Sequence, residues 1–252
     1  MSQFDFRFER GSDGVAVLTL DRPETLNSLT FTIYGQLERL FRDLETDETV
    51  KVVVLTGHGR GFCSGGSVED IIGPLLETEL DGTLAFTRMT GAVVRNLLRL
   101  GKPIVAAING IAAGAGSVLA LASDLRVMAD TAKFAFLFTK VGLTGADMGA
   151  AWLLPKVIGT GRAMELLMLG DKVTADECLR IGLANRVVPQ DQVLAEAMTL
   201  ARRLAHGPGL ALGMTKKMVW NEWPMDLDAA IEQEAQAQAL LLRAHDHREF
   251  YN

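Results

Sequence analysis

Cysteine is scarce in this chain: Cys63 and Cys178 are the only two among 252 residues. That excludes a disulfide framework. With four histidines (His58, His206, His245 and His247) the chain also has no Cys/His cluster at zinc spacing. His245 and His247 flank Asp246 near the C-terminus, which reads as a solvated helix end rather than a metal site. This cysteine usage fits a reducing cytoplasm. An excess of basic residues is missing too. The 25 Lys and Arg are outnumbered by 31 Asp and Glu, giving a formal charge of −6. Such a balance argues against a nucleic-acid binder, which needs a basic face, but leaves room for a local basic pocket for a phosphate. No apolar run approaches the roughly 20 residues of a membrane span. The N-terminal "MSQFDFRFER" lacks an apolar signal core, so no secretion is expected. Internal repeats and low-complexity linkers are absent as well.

What is present is a chain that is 48% hydrophobic, enough for a substantial core. The first half alternates strand-like and helix-like signals. "GVAVLTLDRP" reads as a strand ended by Pro23. "FTIYGQLERLFRDLETD" carries Tyr34, Leu37, Leu40, Phe41 and Leu44 at helical spacing. "VKVVVLTG" and "KPIVAAING" read as buried strands, and "GAGSVLALASDL" as a helix. "RVMAD" and "AKFAF" read as short strands. This alternation predicts a layered α/β core with parallel strands. After about residue 148 the strand signal fades and helices follow, punctuated by Gly and Pro. The expected division is an α/β core over residues 1–195 and a helical oligomerisation section over 196–252. The last long helix has no later element to cover it, so it packs on another subunit or back on its own core.

Two glycine-rich corners stand out. "GFCSGGSVED" places Gly65 and Gly66 between a strand and a helix start, and "INGIAAGAGSVL" does the same for Gly114 and Ala115. Free N–H groups and the helix dipole favour a negative atom at such a corner. Two corners facing each other would aim a pair of donors at one oxygen, an oxyanion hole. Either corner alone is also ordinary turn chemistry. Neither fits the dinucleotide pattern G-x-G-x-x-G.

The strings "LDRPETLNSLT", "GRGFCSGGSVEDI", "KPIVAAINGIAAGAGSVLALASDLRVMAD", "KFAFLFTKVGLTGADMGAAWLLPKVIG" and "GRAMELLMLGDKVTADECLRIGLANRVVP" run in an order that resembles the crotonase (enoyl-CoA hydratase/isomerase) superfamily. The resemblance implies a ββα spiral core with C-terminal helices, assembled as trimers or dimers of trimers. It implies an acyl-CoA thioester as substrate, with coenzyme A arriving as part of that substrate and no permanently bound cofactor or metal. The backbone N–H groups of Gly66 and Ala115 would hold the thioester oxygen as charge develops on it. The adenine and pantetheine portion would pass Thr25, Leu26, Ser64, Gly66, Ser67 and Val68.

The chain also departs from that family. The two pocket glutamates of its hydratases fall at Val118 and Phe138, so a two-carboxylate hydration is in doubt. One acid remains nearby, Asp147, where related isomerases carry an aspartate in a similar loop. Asp147 is therefore expected either to move a proton on the substrate or to cap the helix that starts near Gly149. Glu69 and Asp70 read as helix-start acids, Asp124 as structural, and Cys63 as packing. Glu24 stands where many relatives have a lysine near the CoA phosphates, and Arg22 or Lys102 is the expected substitute. Phe62, Val118, Phe138 and Trp152 are expected to line the acyl pocket, with Phe136 beside them; a core role is the default for such aromatics. The expected function is an acyl-CoA enzyme of hydratase/isomerase type, with C–C hydrolysis or cleavage of a CoA thioester, or non-catalytic acyl-CoA binding, as the alternatives.

Overall fold

A computed structural model describes residues 4–251. Its strands, in chain order, are β1 (Arg7–Arg10), β2 (Val15–Leu20), β3 (Val52–Gly57), β4 (Gly61–Cys63), β5 (Ile104–Ile108), β6 (Ile111–Ala113), β7 (Leu125–Ala129), β8 (Lys133–Ala135), β9 (Val173–Thr174) and β10 (Arg186–Val188). The helices are α1 (Phe31–Asp43), α2 (Gly73–Leu76), α3 (Leu80–Arg99), α4 (Ala115–Ala122), α5 (Ala150–Ile158) and α6 (Thr160–Leu169), then α7 (Ala175–Arg180), α8 (Val193–Ala205), α9 (Gly209–Asn221), α10 (Leu227–Leu241) and α11 (His245–Tyr251).

The strands form two sheets, β1-β2-β3-β5-β7-β10 and β4-β6-β8-β9. All pairings are parallel except β1 with β2 and β8 with β9. Each of β3, β5 and β7 is followed after a short corner by a strand of the second sheet: β4, β6 and β8. This repeated step from one sheet to the other, followed by a helical segment, is the expected ββα spiral. β3 and β5 are buried along their whole length, as the continuous apolar runs demand of parallel strands covered on both faces.

Two elements depart from the sequence reading. β9 and β10 lie in the region read as wholly helical, and they complete one edge of each sheet. They are two and three residues long, too short to show alternation. The division expected at residues 195 and 196 falls inside α8. That helix buries Val193, Ala197, Leu200, Ala201 and Ala205 and packs on β2, β3, β5 and β7, so it belongs to the sheet's covering layer. α10, in contrast, buries only Ala237 among its own residues.

Asp124 and Arg126 hold the fold at the start of β7. Asp124 Oδ2 accepts from Ile104 N–H at 2.7 Å and pairs with Lys216 of α9 at 2.9 Å. Burial pushes the Asp124 carboxyl up and the Lys216 amine down despite their pairing. Arg126 donates to the carbonyls of Leu183, Ser123 and Leu121, which satisfies the C-terminal end of α4. Lys216→Met leaves the Asp124 charge without its partner, and breaking such a pair typically costs about 3 kcal/mol or more. The expected result is a correspondingly lower urea midpoint; an unchanged midpoint contradicts the tie between α9 and the sheet.

Candidate active site

The first corner follows β4. Its backbone is strapped to the segment before α1: Ser64 N–H donates to Leu26 O (2.9 Å), Leu29 N–H to Gly65 O (2.8 Å) and Ser67 N–H to Leu29 O (2.8 Å). The alternation of this ladder leaves the Gly66 N–H out, and it donates to no group among the described residues. Ser67 then caps a helical segment, Val68–Ile72, accepting from Asp70 N–H at 3.1 Å.

The second corner follows β6. Gly114, at φ +51° and ψ −123°, turns the chain into α4 in a conformation that a side chain would strain. Its N–H donates to Ala135 O at 2.9 Å. Ala115 opens the helix, and its N–H likewise donates to no group among the described residues, as expected in a first turn. The two corners touch through their backbones. A Cβ placed on Gly65 would lie 3.1 Å from Ala113 O and 3.4 Å from Ala115 N. A Cβ on Gly116 would lie 2.3 Å from Cys63 O. Glycine at 116 therefore lets α4 seat its first turn against the end of β4.

Gly66 is different. Its φ is not in the left-handed region, and a Cβ there would meet nothing nearer than Ile71 Cδ1 at 3.8 Å and Tyr34 Oη at 3.9 Å. Neither backbone strain nor a close neighbour requires glycine at this position. What its absent side chain leaves is room for about one methyl group, bounded by Ile71 and Tyr34, beside an unpartnered N–H.

Val118 and Phe62 are fully buried and Phe138 is 8% exposed. The two positions expected to replace carboxylates are thus apolar and sequestered. Asp147 is half-buried. Its Oδ1 accepts from the Met148 N–H at 2.9 Å. It does not cap α5: the N-cap is Gly149 at φ +90°, no side chain caps that end, and it is the Asp147 carbonyl that accepts from Ala150 N–H. The capping alternative is therefore corrected. Burial raises the Asp147 carboxyl, opposed by the Met148 hydrogen bond. Its charge reaches Tyr34: burial pushes that phenol well up, with smaller contributions from Cys63 and Asp147.

The residues expected along the coenzyme are brought together. Ser64 Oγ donates to Thr25 O at 2.8 Å, Ser64 N–H to Leu26 O, and Thr25 Oγ1 accepts from Ser28 Oγ at 2.8 Å. Leu26 and Asn27 both hold left-handed φ, at 55° and 60°. Asn27 stabilises that bend by donating to His58 O and Gly61 O, a structural role the sequence reading missed. Val68 is 72% exposed at the outer rim of the first corner.

Several expectations need correction. Lys102 does not replace the missing lysine. It lies at the N-terminal end of β5, donating to Asp47 O, while the corners follow the C-terminal ends of β4 and β6. Arg22 is near the corner but engaged, pairing with Asp70 at 3.0 Å and donating to Ser28 O at 3.2 Å. Asp70 is held by Ser67 Oγ and Arg22, which both lower its carboxyl. Trp152 does not join the buried aromatics: it is 46% exposed, packs on Trp220 with ring centroids 5.6 Å apart, and carries Lys156 Nζ 3.9 Å from its ring centroid. α5 buries Ala150, Leu153 and Leu154, which turns Trp152 away from the core. The Cys63 thiol is fully buried and pushed up to about 12, which suits packing rather than nucleophilic attack.

Two unpartnered backbone donors at touching corners can hold an oxygen that gains negative charge, and Asp147 is a half-buried carboxyl raised by that burial. The sequence profile of the enoyl-CoA hydratase/isomerase family matches residues 10–250. The 1,2-epoxyphenylacetyl-CoA isomerase of Escherichia coli strain K12 is 38% identical over 97% of this chain and 93% of its own. A solved structure from Streptomyces coelicolor A3(2), provisionally named an enoyl-CoA hydratase, superposes with a TM-score of 0.97 at 50% identity, over 99% of this chain and 90% of that one. The enoyl-CoA hydratase structure from Bacillus anthracis gives 0.92 at 27% identity, over 98% and 94%. The chain is a member of the enoyl-CoA hydratase/isomerase family.

Proposed function

We propose that this protein is an acyl-CoA isomerase that moves a double bond through an enolate. The N–H groups of Gly66 and Ala115 are the donors to the thioester oxygen, and Asp147 is the acid/base. The observation that carries this reading is the pair of N–H groups left without acceptors where the two corners meet. Asp147 takes a proton from C2 of a 3-enoyl thioester. The C–H electron pair forms the C1–C2 double bond, and charge passes to the thioester oxygen. The same carboxyl then delivers its proton to C4: the oxygen pair re-forms the C1–O double bond, the C1–C2 pair shifts to C2–C3, and the C3–C4 pair takes the proton. One carboxylate completes this cycle because the proton is returned. Hydration needs a second group to manage water, and Val118 and Phe138 supply none. The apolar wall suits an aromatic, alicyclic or otherwise unsaturated acyl group.

Product analysis with 3-enoyl, 2-enoyl and dienoyl thioesters tests the reading. Interconversion of 2- and 3-enoyl forms is expected, and accumulation of a 3-hydroxyacyl product instead overturns it. The coenzyme portion runs past Thr25, Leu26, Ser64, Ser67 and Val68 in this reading. The free, buried cysteines fit a reducing compartment such as the cytoplasm.

The protein assembles as a homotrimer or dimer of trimers. Support comes from α10 and its flank, where Leu227, Ile231, Leu240 and Leu242 are each more than half exposed. Light scattering at micromolar concentration is expected to give three or six times the 27.3 kDa chain mass; a stable monomer contradicts it.

A further inference from the structure

Tyr34 lies on α1, outside both corners. Its position at helical spacing marks it as core, and its ring is indeed packed edge-on against Phe86 at 5.6 Å with the residue 3% exposed. Its hydroxyl does not fit that role. It makes no hydrogen bond to any group among the described residues, yet it is not one of the side-chain atoms closed off from solvent, so water or a ligand reaches it. It stands beside the Gly66 corner, 3.9 Å from where a Cβ would sit, and lies within electrostatic reach of Asp147. Around it stand Ile71, which is 1% exposed, and Phe86. A phenol in such a place is a donor with no acceptor, next to the donor N–H of Gly66.

We infer that Tyr34 determines acyl specificity, its hydroxyl donating a hydrogen bond to an oxygen that the acyl group carries beyond the thioester carbonyl. The inference rests on the acyl-CoA reading above and narrows it to oxygen-bearing acyl groups. A bound acyl group that covers the hydroxyl takes away its water, so a ligand that supplies an acceptor there is favoured over one that does not. Asp147 and the two N–H groups handle charge at C1 and C2, while Tyr34 reads what lies further along. No group among the described residues bonds the hydroxyl, so its removal leaves the ring packing on Phe86 and the α1–α3 contact intact.

Isothermal titration of the wild type and Tyr34→Phe with butyryl-CoA and 3-oxobutyryl-CoA tests this. The wild type is expected to prefer the oxo thioester by about tenfold, the scale of one buried hydrogen bond. Tyr34→Phe is expected to lose that preference, bind butyryl-CoA with unchanged affinity, and melt no lower than the wild type. The same preference in both proteins, or none in the wild type, overturns the inference. An equal loss for both thioesters overturns it too, since it places the hydroxyl on the shared carbonyl. Failure of the wild type to bind either thioester overturns the acyl-CoA reading itself, and this inference with it.

Discussion

Asp147→Asn is expected to fold, to bind acyl-CoA thioesters as the wild type does, and to lose about 100-fold or more in turnover, the usual scale of general acid–base catalysis. The substitution keeps the size of the side chain and retains an oxygen for the Met148 N–H, the one hydrogen bond the carboxylate accepts among the described residues. It removes the base. No helix cap is lost with it, because Gly149 occupies that position. Stability should move the other way. Burial raises the Asp147 carboxyl above its ordinary 3.8, so the native state holds a proton that the unfolded chain has released just above that pH. Stability therefore falls as pH rises through the native titration, and at neutral pH the buried charge is a net penalty. The asparagine variant is expected to be at least as stable as the wild type at pH 7, with its advantage shrinking as pH falls toward 3.8 and below. Urea midpoints across that range check the sign. A variant with near-normal turnover on the isomerised substrate removes Asp147 from the chemistry.

Gly66→Ala is expected to leave the fold nearly unchanged and to reduce kcat/KM by about 100-fold, the scale of a displacement of about 1 Å at a reacting centre. The added methyl meets only ordinary contacts, at 3.8 Å and 3.9 Å from Ile71 and Tyr34, and its φ needs no left-handed backbone. Its one consequence is to occupy the space beside the Gly66 N–H. Gly116→Ala is the control with the opposite signature. Its methyl would stand 2.3 Å from Cys63 O and force α4 off β4, so stability and activity should fall together. Thermal melts and steady-state kinetics on both variants separate the cases. If Gly66→Ala is as active as the wild type, the Gly66 N–H does not hold the thioester.

The core was legible because its central strands carry nearly continuous apolar runs. "VVVLTG" and "IVAAI" admit few readings other than buried parallel strands, and the helical spacing in α1 named the residues that turn inward. β9 and β10 were not legible, since a strand of two or three residues exists only by pairing with a neighbour already in place. Trp152 was misplaced for a related reason: an apolar helix such as α5 does not reveal which side of it meets the core. The candidate site was only partly legible. Its main donors are backbone groups, which leave no side-chain signature; glycine and alanine at two strand-to-helix corners were the only trace. Tyr34 carried the opposite difficulty. Its ring obeys the core pattern, and periodicity does not report where a hydroxyl at the end of that ring points.

The most direct test of the central claim is proton exchange at C2 of a saturated acyl-CoA in heavy water, followed by mass spectrometry or NMR. Such a thioester has no double bond to move, so exchange isolates enolate formation from every later step. The account predicts deuterium uptake at C2 with the wild type and about 100-fold slower uptake with Asp147→Asn at saturating thioester. Binding without exchange by the wild type would make this chain an acyl-CoA binder rather than a catalyst, and full exchange by Asp147→Asn would place the base elsewhere.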